Sequence, residues 1–263
     1  MPPGWKVIVF DDDPTGSQTV HGCPLLLRWD PQSLQRGLRH PSPLLFLLTN
    51  TRALAPEQAR ERVREICGVL REALAEAQAA GVLQHWSIVS RGDSTLRGHF
   101  PLEPQVIAQE LGPFDATLLA PAFLPGGRTT VDGVHLLQGV PVHESAFARD
   151  GLFAYRSSYL PDWVAEKSGG RIPAGQVALL PIAALEGTGE ALQERLAGCG
   201  GGVCVAVDAE RPQHLAALGV AVRALTAPEA SARWGRPRRF LFQSAASLIN
   251  GLVPLPPQPR DPA

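Results

Sequence analysis

Short apolar runs alternate with helical patterns along most of this 263-residue chain, and this alternation constrains its fold more than any other feature. The first run, Val7–Phe10, contains no polar residue, which is typical of a strand buried on both faces of a sheet. The longest helical pattern, Pro56–Ala80, places apolar residues at three- and four-residue spacing. Strands that alternate with such helices favour a mainly parallel sheet.

The sequence therefore predicts an α/β fold, Rossmann-like, with a mainly parallel sheet and helices on both faces. Residues 139–175 are rich in Gly, Pro and Ser, and we expect irregular structure there apart from one helix. The predicted strands are Val7–Phe10, Cys23–Leu27, Leu44–Leu48, His85–Val89, Ala116–Leu119, Val177–Leu180, Val203–Val207 and Phe240–Phe242. The predicted helices are Pro31–Leu38, Pro56–Ala80, Leu102–Leu111, Pro161–Lys167, Ala184–Ala197 and Pro212–Leu225.

Polar residues follow four of these strands, namely Asp11–Asp13, Arg52, Asp93–Arg97 and Arg128. An isolated acidic turn is ordinarily a solvated strand end, where Asp is common. However, the carboxyl ends of parallel strands meet at one edge of the sheet, where ligands bind. Three adjacent carboxylates repel one another and need a metal, arginines, a polar substrate or solvent. The four clusters together favour a site for a polyanion or a polyol.

One interpretation of the first cluster is a phosphatase. Val7–Thr15 resembles the strand and DxDxT motif of haloacid-dehalogenase-like phosphatases, and Leu47–Asn50 resembles their second motif. In that family Asp11 would be the nucleophile and Asp13 the acid/base, with magnesium bridging carboxylate and phosphate. The later motifs fit less well, since Lys167 alone is available for the family's lysine.

A second resemblance covers nearly the whole chain. The chain is similar to the four-carbon acid sugar kinase family, which phosphorylates threonate, erythronate and related 3-oxo acids with ATP. The most specific match is Asp93–Gly98, which reads DSTLRG. The matching segments, in chain order, are Asp12-Asp13-Pro14-Thr15-Gly16, Thr51-Arg52-Ala53-Leu54, Asp93-Ser94-Thr95-Leu96-Arg97-Gly98, Ala120-Pro121-Ala122-Phe123, Gly127-Arg128-Thr129-Thr130 with Gly133 and His135, and Ser244-Ala245-Ala246-Ser247.

This resemblance implies a pocket that binds a sugar acid. Arginine can hold a carboxylate through two parallel hydrogen bonds, for which we expect Arg97 or Arg128, followed by Arg52. Phosphoryl transfer needs a base or an orienting carboxylate at the attacking hydroxyl, and both Asp13 and Asp93 are candidates. The expected substrate-binding residues are Asp12, Arg52, Ser94, Arg97, Arg128 and Thr129, and the expected nucleotide contact is Ser247. We assign no metal ligand in this chain and expect structural roles for His99 and His135.

The resemblance also implies a second domain that binds ATP. The chain has neither G-x-x-x-x-G-K-[ST] nor G-x-G-x-x-G, so we expect the sites for ATP and Mg²⁺ to lie mostly outside it. We expect residues 1–252 to form the substrate-binding domain and residues 253–263 to form a proline-rich linker, with no nucleotide-binding domain. Such a chain is incomplete as a phosphotransferase. It is either part of a kinase or a non-catalytic subunit or remnant that needs a nucleotide-binding partner.

Charge and cysteine content restrict the environment and the partners. The formal net charge is −1, which gives no reason to expect nucleic acid or an anionic membrane as a partner. The four cysteines show neither CxxC pairs nor zinc spacing, as in reduced proteins. No apolar run reaches transmembrane length, and the first residues lack the apolar core of a signal peptide. We therefore expect a cytoplasmic location.

Overall fold

The structure is a computed structural model that describes residues 4–255, so the predicted linker lies outside it from residue 256 onward. Within the described residues, the strands are β1 (Trp5–Asp11), β2 (Leu25–Leu26), β3 (Leu44–Leu48), β4 (His85–Arg91), β5 (Ala116–Ala120), β6 (Arg128–Val131), β7 (Val134–Leu137), β8 (Val140–Pro141), β9 (Ala178–Leu180), β10 (Val203–Val207) and β11 (Phe240–Ser244). The α-helices of the same residues are α1 (Pro31–Arg39), α2 (Pro56–Ala79), α3 (Leu102–Leu111), α4 (Leu160–Lys167), α5 (Ile182–Leu185), α6 (Gly189–Ala197), α7 (Pro212–Thr226), α8 (Ala230–Trp234) and α9 (Ala246–Leu252).

Eight strands form one sheet in the order β2-β3-β1-β4-β11-β5-β10-β9. Every pair of neighbours in this sheet is parallel. The predicted α/β class is therefore confirmed, and the main sheet is parallel throughout. The first strand, β1, lies near the centre of the sheet between β3 and β4.

The two faces of the sheet bury separate hydrophobic clusters, because successive side chains of a strand point to opposite faces. On one face, Val7 and Val9 of β1 share a cluster with residues of α6, α7 and α9. On the other, Ile8 and Phe10 share a cluster with residues of α1, α2 and α3. All four β1 side chains are fully buried. Helices therefore cover both faces, as predicted.

The connections reverse direction between β1 and β4. After β1 the chain turns to β2 and β3 on one side, whereas after β4 it passes to β5 on the other. Such a reversal leaves a crevice at the carboxyl ends of the two strands, where open α/β sheets bind ligands. Asp11 ends β1 and Arg91 ends β4, so both residues lie at this crevice.

A small antiparallel sheet, β6-β7-β8, corrects the prediction that a polar loop contains Arg128 and Thr129. Both residues begin β6, which pairs with β7. The turn between these strands has Asp132 at φ 50° and Gly133 at φ 75°. Positive φ at both central residues is the geometry of the tight hairpin turns that favour Asp-Gly.

Other boundaries also differ from the prediction. The helix predicted over Ala184–Ala197 is divided into α5 and α6, because Thr188 begins a new helix by accepting a hydrogen bond from the Ala191 N–H at 3.2 Å. Strand β2 is shorter than the predicted Cys23–Leu27. Neither α8 nor α9 was predicted. No helix within residues 4–255 is long and apolar enough to cross a membrane.

Candidate functional site

The acidic turn after β1 is neutralised by arginines rather than by solvent. The Arg91 Nη1 atom lies 3.4 Å from Asp11, 3.5 Å from Asp12 and 4.0 Å from Asp13. Asp11 and Asp12 are buried, at 0% and 2% exposure, which corrects the interpretation of this turn as a solvated strand end. The Asp13 side chain keeps 26% of its surface exposed. The turn therefore presents one accessible carboxylate above two buried ones.

Arg52 joins the loop after β3 to the acidic turn. Its Nε donates to Asp12 Oδ2 at 2.9 Å and its Nη2 donates to Asp12 Oδ1 at 2.5 Å, a two-bond pairing of guanidinium and carboxylate. Its Nη1 also donates to Asp13 Oδ2 at 3.2 Å. The Arg52 backbone N–H donates to the Asp12 carbonyl at 3.2 Å. The structure thus brings Asp12, Asp13 and Arg52 together, as the sequence predicted.

The loop after β4 places Asp93 and Arg97 beside this cluster. Arg97 Nε donates to Asp93 Oδ2 at 2.6 Å, and the Thr95 hydroxyl donates to the same oxygen. Arg97 Nη1 also lies 3.7 Å from Asp150, and the guanidinium packs over the Phe147 ring. The Arg97 side chain remains 27% exposed. In this arrangement Arg97 holds the Asp93 loop and still reaches solvent.

The pKa values divide these carboxyl groups into two kinds. Burial raises the pKa of Asp93, but hydrogen bonds from Thr95 and Arg97 outweigh it and hold that pKa below its usual value. Burial also acts on Asp13, where hydrogen bonds from Thr15 and the charge of Arg52 lower the pKa overall. Burial raises the pKa of Asp11 to about 7 against the charge of Arg91. Asp13 and Asp93 are therefore the ionised, partly accessible carboxylates of the site.

Asp11 does not have the geometry of a phosphatase nucleophile. It is completely buried, and the turn backbone lies directly on it. A Cβ atom added at Gly16 would come 1.9 Å from Asp11 Oδ1. A nucleophile must reach the substrate phosphorus, whereas this carboxylate lies under Gly16. The phosphatase interpretation therefore has no support in the site.

Ser94 and the β6–β7 hairpin are connected through His135. Its Nε2 lies 2.8 Å from the Ser94 carbonyl and its Nδ1 lies 2.9 Å from the Thr130 hydroxyl. A carbonyl only accepts, so Nε2 carries the proton. Burial lowers the pKa of His135 to about 4, and the ring is neutral at pH 7. These two contacts agree with the predicted structural role of His135. His99 also has a structural contact, because its Nε2 donates to the Thr51 and Leu54 carbonyls.

Arg128 is less closely associated with the acidic cluster. Its Nη1 donates to the Gly126 carbonyl at 2.7 Å, and its guanidinium lies 5.9 Å from the Phe123 ring centroid. Within the described residues, no ion pair connects it to Asp12, Asp13 or Asp93. Its Nε is buried without a hydrogen-bond partner and could donate to a ligand. The roles predicted for Arg128 and for its neighbour Thr129 stay predictions.

Ser247 lies in α9, close to the turn after β5. Its hydroxyl accepts a hydrogen bond from the Leu124 N–H at 3.0 Å, and the residue is 8% exposed. The side chain therefore already holds two elements of this domain together. Its predicted contact with a nucleotide stays a prediction.

Several residues of the site were missed. Arg91 was not chosen, although it ends an apolar strand as Asp11 does, and this position was the available signal. Glu103 in α3 and Gln243 and Ser244 in β11 line a cavity with Asp12, Asp93 and Arg97. Glu103 is 5% exposed, and nothing in its sequence context distinguishes it from a surface glutamate at a helix start. Only the packing of α3 reveals it.

Parallel strands, the crevice between β1 and β4, and polar loops above it define an α/β domain with a ligand-binding crevice at the carboxyl ends of its strands. The chain belongs to the family of sugar-binding N-terminal domains, whose model matches residues 7–252. It is 28% identical over 199 residues to the D-erythronate kinase of Heliobacterium modesticaldum, an alignment that covers 73% of this chain and 42% of that enzyme. The resemblance to the amino-terminal domain of four-carbon acid sugar kinases is thus confirmed.

Solved structures show the same fold. A domain of unknown function from Bordetella bronchiseptica, crystallised with citrate as a domain-swapped dimer, aligns with a TM-score of 0.70 and 25% identity. That alignment covers 95% of this chain and 56% of the other. A Haemophilus influenzae protein aligns with a TM-score of 0.61 and 18% identity, over 94% of this chain and 54% of its own. The chain therefore spans about half the length of the relatives that it matches.

Proposed function

We propose that this chain is the domain that binds the sugar acid in an ATP-dependent kinase, which phosphorylates one hydroxyl of a four-carbon sugar acid. The observation that carries the proposal is the convergence of Asp13, Arg52, Asp93 and Arg97 on one crevice in a chain of the sugar-binding family. The 28% identity to a D-erythronate kinase supports the substrate class.

The chemistry of the crevice suits a polyhydroxy carboxylate. Asp13 and Asp93 are ionised acceptors for sugar hydroxyls, and either can orient the attacking hydroxyl for phosphoryl transfer. Arg97 is the best placed arginine for the substrate carboxylate because part of its guanidinium reaches solvent. The citrate in the Bordetella relative is also a hydroxy carboxylate, which supports such a ligand here.

ATP and Mg²⁺ would supply the phosphoryl group and neutralise its charge. The described residues do not offer a site that fits ATP, since the Ser247 hydroxyl is engaged by Leu124 and the chain has no phosphate-binding glycine loop. We therefore propose that the nucleotide is bound by a further domain or a partner chain that closes over the crevice. The present chain positions the acceptor hydroxyl for that partner.

Calorimetric titration with erythronate, threonate and their 3-oxo forms tests this proposal. We expect wild type to bind at least one of them, and Arg97→Ala or Asp93→Asn to weaken that binding roughly ten- to a hundredfold, as loss of a charge-assisted hydrogen bond does. The affinity of Arg128→Ala for the same acid shows whether Arg128 contributes to binding. Arg71→Ala, at an exposed position of α2, is the control and should bind as wild type does.

Two results would count against the proposal. Wild type that gives no heat with any of these acids overturns the substrate class. Equal affinities for wild type, Arg97→Ala and Asp93→Asn overturn the crevice as the binding site.

A further inference from the structure

A cavity of about 20 Å³ lies at the inner end of the crevice. Its walls come from β11, from α3 and α4, and from the loop after β4. Asp12, Asp93 and Arg97 line it as well, so it is continuous with the candidate site. A cavity of this size holds one water-sized group and nothing larger.

Four residues that line this cavity each have a buried polar atom without a hydrogen-bond partner. These atoms are Glu103 Oε1, Trp163 Nε1, Gln243 Oε1 and Ser244 Oγ. Glu103, Trp163 and Ser244 are 5%, 2% and 3% exposed. Native proteins rarely leave buried polar atoms unpaired, because each one has lost its hydrogen bonds to water. Four of them around one small cavity indicate that it receives a polar group.

The chemistry of these atoms selects the kind of group. Trp163 can only donate, the Gln243 carbonyl oxygen can only accept, and the Ser244 hydroxyl can do both. Burial and the nearby Asp12 raise the pKa of Glu103 to about 8, so its carboxyl group is neutral at pH 7 and can donate as well as accept. A hydroxyl group, which both donates and accepts, matches this set.

A carboxylate does not match it. A carboxylate can only accept, so it would leave the Gln243 carbonyl oxygen, which also only accepts, without a donor. Arg97, the arginine among the lining residues, is already paired with Asp93. The carboxylate of a sugar acid must therefore lie outside the cavity, towards the solvent-exposed side of Arg97.

We propose that this cavity is an inner subsite for one hydroxyl of the sugar acid, and that Glu103, Gln243 and Ser244 select for that hydroxyl. The inference rests on the proposed function. The hydroxyl in the subsite lies between α3 and β11, whereas the rest of the acid extends into the open crevice. The subsite thus fixes which hydroxyls of the acid remain in the open crevice.

Binding of deoxy analogues tests the subsite. The ligands are the tetronate that wild type binds best and the three analogues that each lack one of its hydroxyls. The proteins are wild type, Ser244→Ala and Glu103→Met, with Ser87→Ala as a matched control because Ser87 is a buried serine of β4 that does not line the cavity. Thermal unfolding of each variant verifies its fold.

We expect one analogue to bind wild type and Ser87→Ala roughly three- to tenfold more weakly than the parent acid, as loss of an uncharged hydrogen bond predicts. In Ser244→Ala and Glu103→Met that difference should shrink, because each variant lacks one hydrogen-bond partner of the hydroxyl that the analogue also lacks. For each of the other two analogues, the loss of affinity relative to the parent acid should be the same in all four proteins.

If all three losses are unchanged in both variants, the cavity holds a water molecule and the subsite is overturned, while the proposed function stands. If wild type binds no tetronate, the proposed function itself fails. Glu103→Met keeps the test decisive if Ser244→Ala does not fold.

Discussion

Arg91 lies directly opposite Asp11 in the pairing of β4 with β1, and its Nη1 is 3.4 Å from Asp11 Oδ1. This buried guanidinium from a neighbouring strand therefore helps Arg52 to offset the mutual repulsion of Asp11, Asp12 and Asp13. The charge balance of the acidic turn depends on strand register. A slip of one residue in β4 would move the Arg91 side chain to the other face of the sheet.

Arg91→Met should destabilise the protein strongly. It leaves Asp11 buried beside a neutral side chain, whereas Asp12 keeps its hydrogen bonds from Arg52. Removal of one partner of a buried ion pair typically costs about 3–5 kcal/mol. Urea unfolding measures the free energy. Arg71→Ala, which breaks an exposed pair with Glu110, is the control and should cost less than about 1 kcal/mol. Similar losses in the two variants would show that Arg91 contributes no more than a surface charge.

Gly16→Ala should weaken the acidic turn for a steric reason. The added Cβ would come 1.9 Å from Asp11 Oδ1, so the turn or the carboxylate must move. We expect a stability loss of about 1–3 kcal/mol, as is usual for overpacking, and a lower affinity for the sugar acid. Gly68→Ala is the matched control. Gly68 lies in α2 with no atom within 4 Å of an added Cβ, so alanine should stabilise by about 0.5–1 kcal/mol. An unchanged Tm and affinity for Gly16→Ala would refute the close packing.

Glu103 should make stability fall as the pH rises. Its pKa in the folded protein, about 8, exceeds the ordinary value of 4.5, so the folded state holds a proton that the unfolded state releases in between. The stability from this group is full below about pH 4.5 and is lost as the pH rises through about 8. Glu103→Gln removes the titration. The Tm of the variant minus that of wild type should increase from pH 5 to pH 8.5. In Glu72→Gln, at an exposed position of α2, the same difference should stay constant. A constant difference in both variants would contradict the raised pKa.

Asp208 should hold the β6–β7 hairpin on the main sheet. Its carboxylate accepts hydrogen bonds from the Asp132 and Gly133 N–H groups, both at 2.9 Å. Asp208→Ala should therefore accelerate amide hydrogen exchange in residues 128–137 and leave β1 and β4 protected. As a control, Asp30→Ala removes the side-chain cap of α1 and should act on that helix alone. Unchanged exchange in the hairpin would exclude this role for Asp208.

Much of the main sheet could be predicted because its strands are apolar runs, which can be recognised from the local sequence alone. Two examples are Val7–Phe10 and Val203–Val207. In the structure the first strand also includes Trp5 and Lys6 at its amino end and Asp11 at its carboxyl end. The parallel arrangement then implied that Asp12, Arg52 and Asp93 would meet. This prediction needed only the rule that the carboxyl ends of parallel strands lie at one edge of the sheet.

The hairpin was missed although its turn has a local signal. Val131-Asp132-Gly133-Val134 carries the Asp-Gly pair that favours a tight hairpin turn between strands. The match of Gly127–Thr130 to a family motif indicates polar side chains but carries no information about strand pairing. Arg128 was therefore placed in an open loop, whereas β6 holds it beside Gly126.

The inner cavity could not be predicted from local patterns. Gln243 and Ser244 are adjacent, but Glu103 lies far from them in the chain, and the family match of Ser244–Ser247 does not indicate that Glu103 is near. Their burial follows from how α3 packs and from where β11 inserts. That information exists only in the tertiary structure.

The position of β11 has a consequence for how the domain is made. It is the last strand of residues 4–255, yet it lies between β4 and β5 and joins the two halves of the sheet. A nascent chain that has not yet passed Ser244 therefore carries two partial sheets with nothing to hydrogen-bond them together. The two halves can join only after β11 has been synthesised, so we expect the complete sheet to form late in synthesis. Gln243 and Ser244 arrive with that strand, and the innermost part of the crevice is completed last.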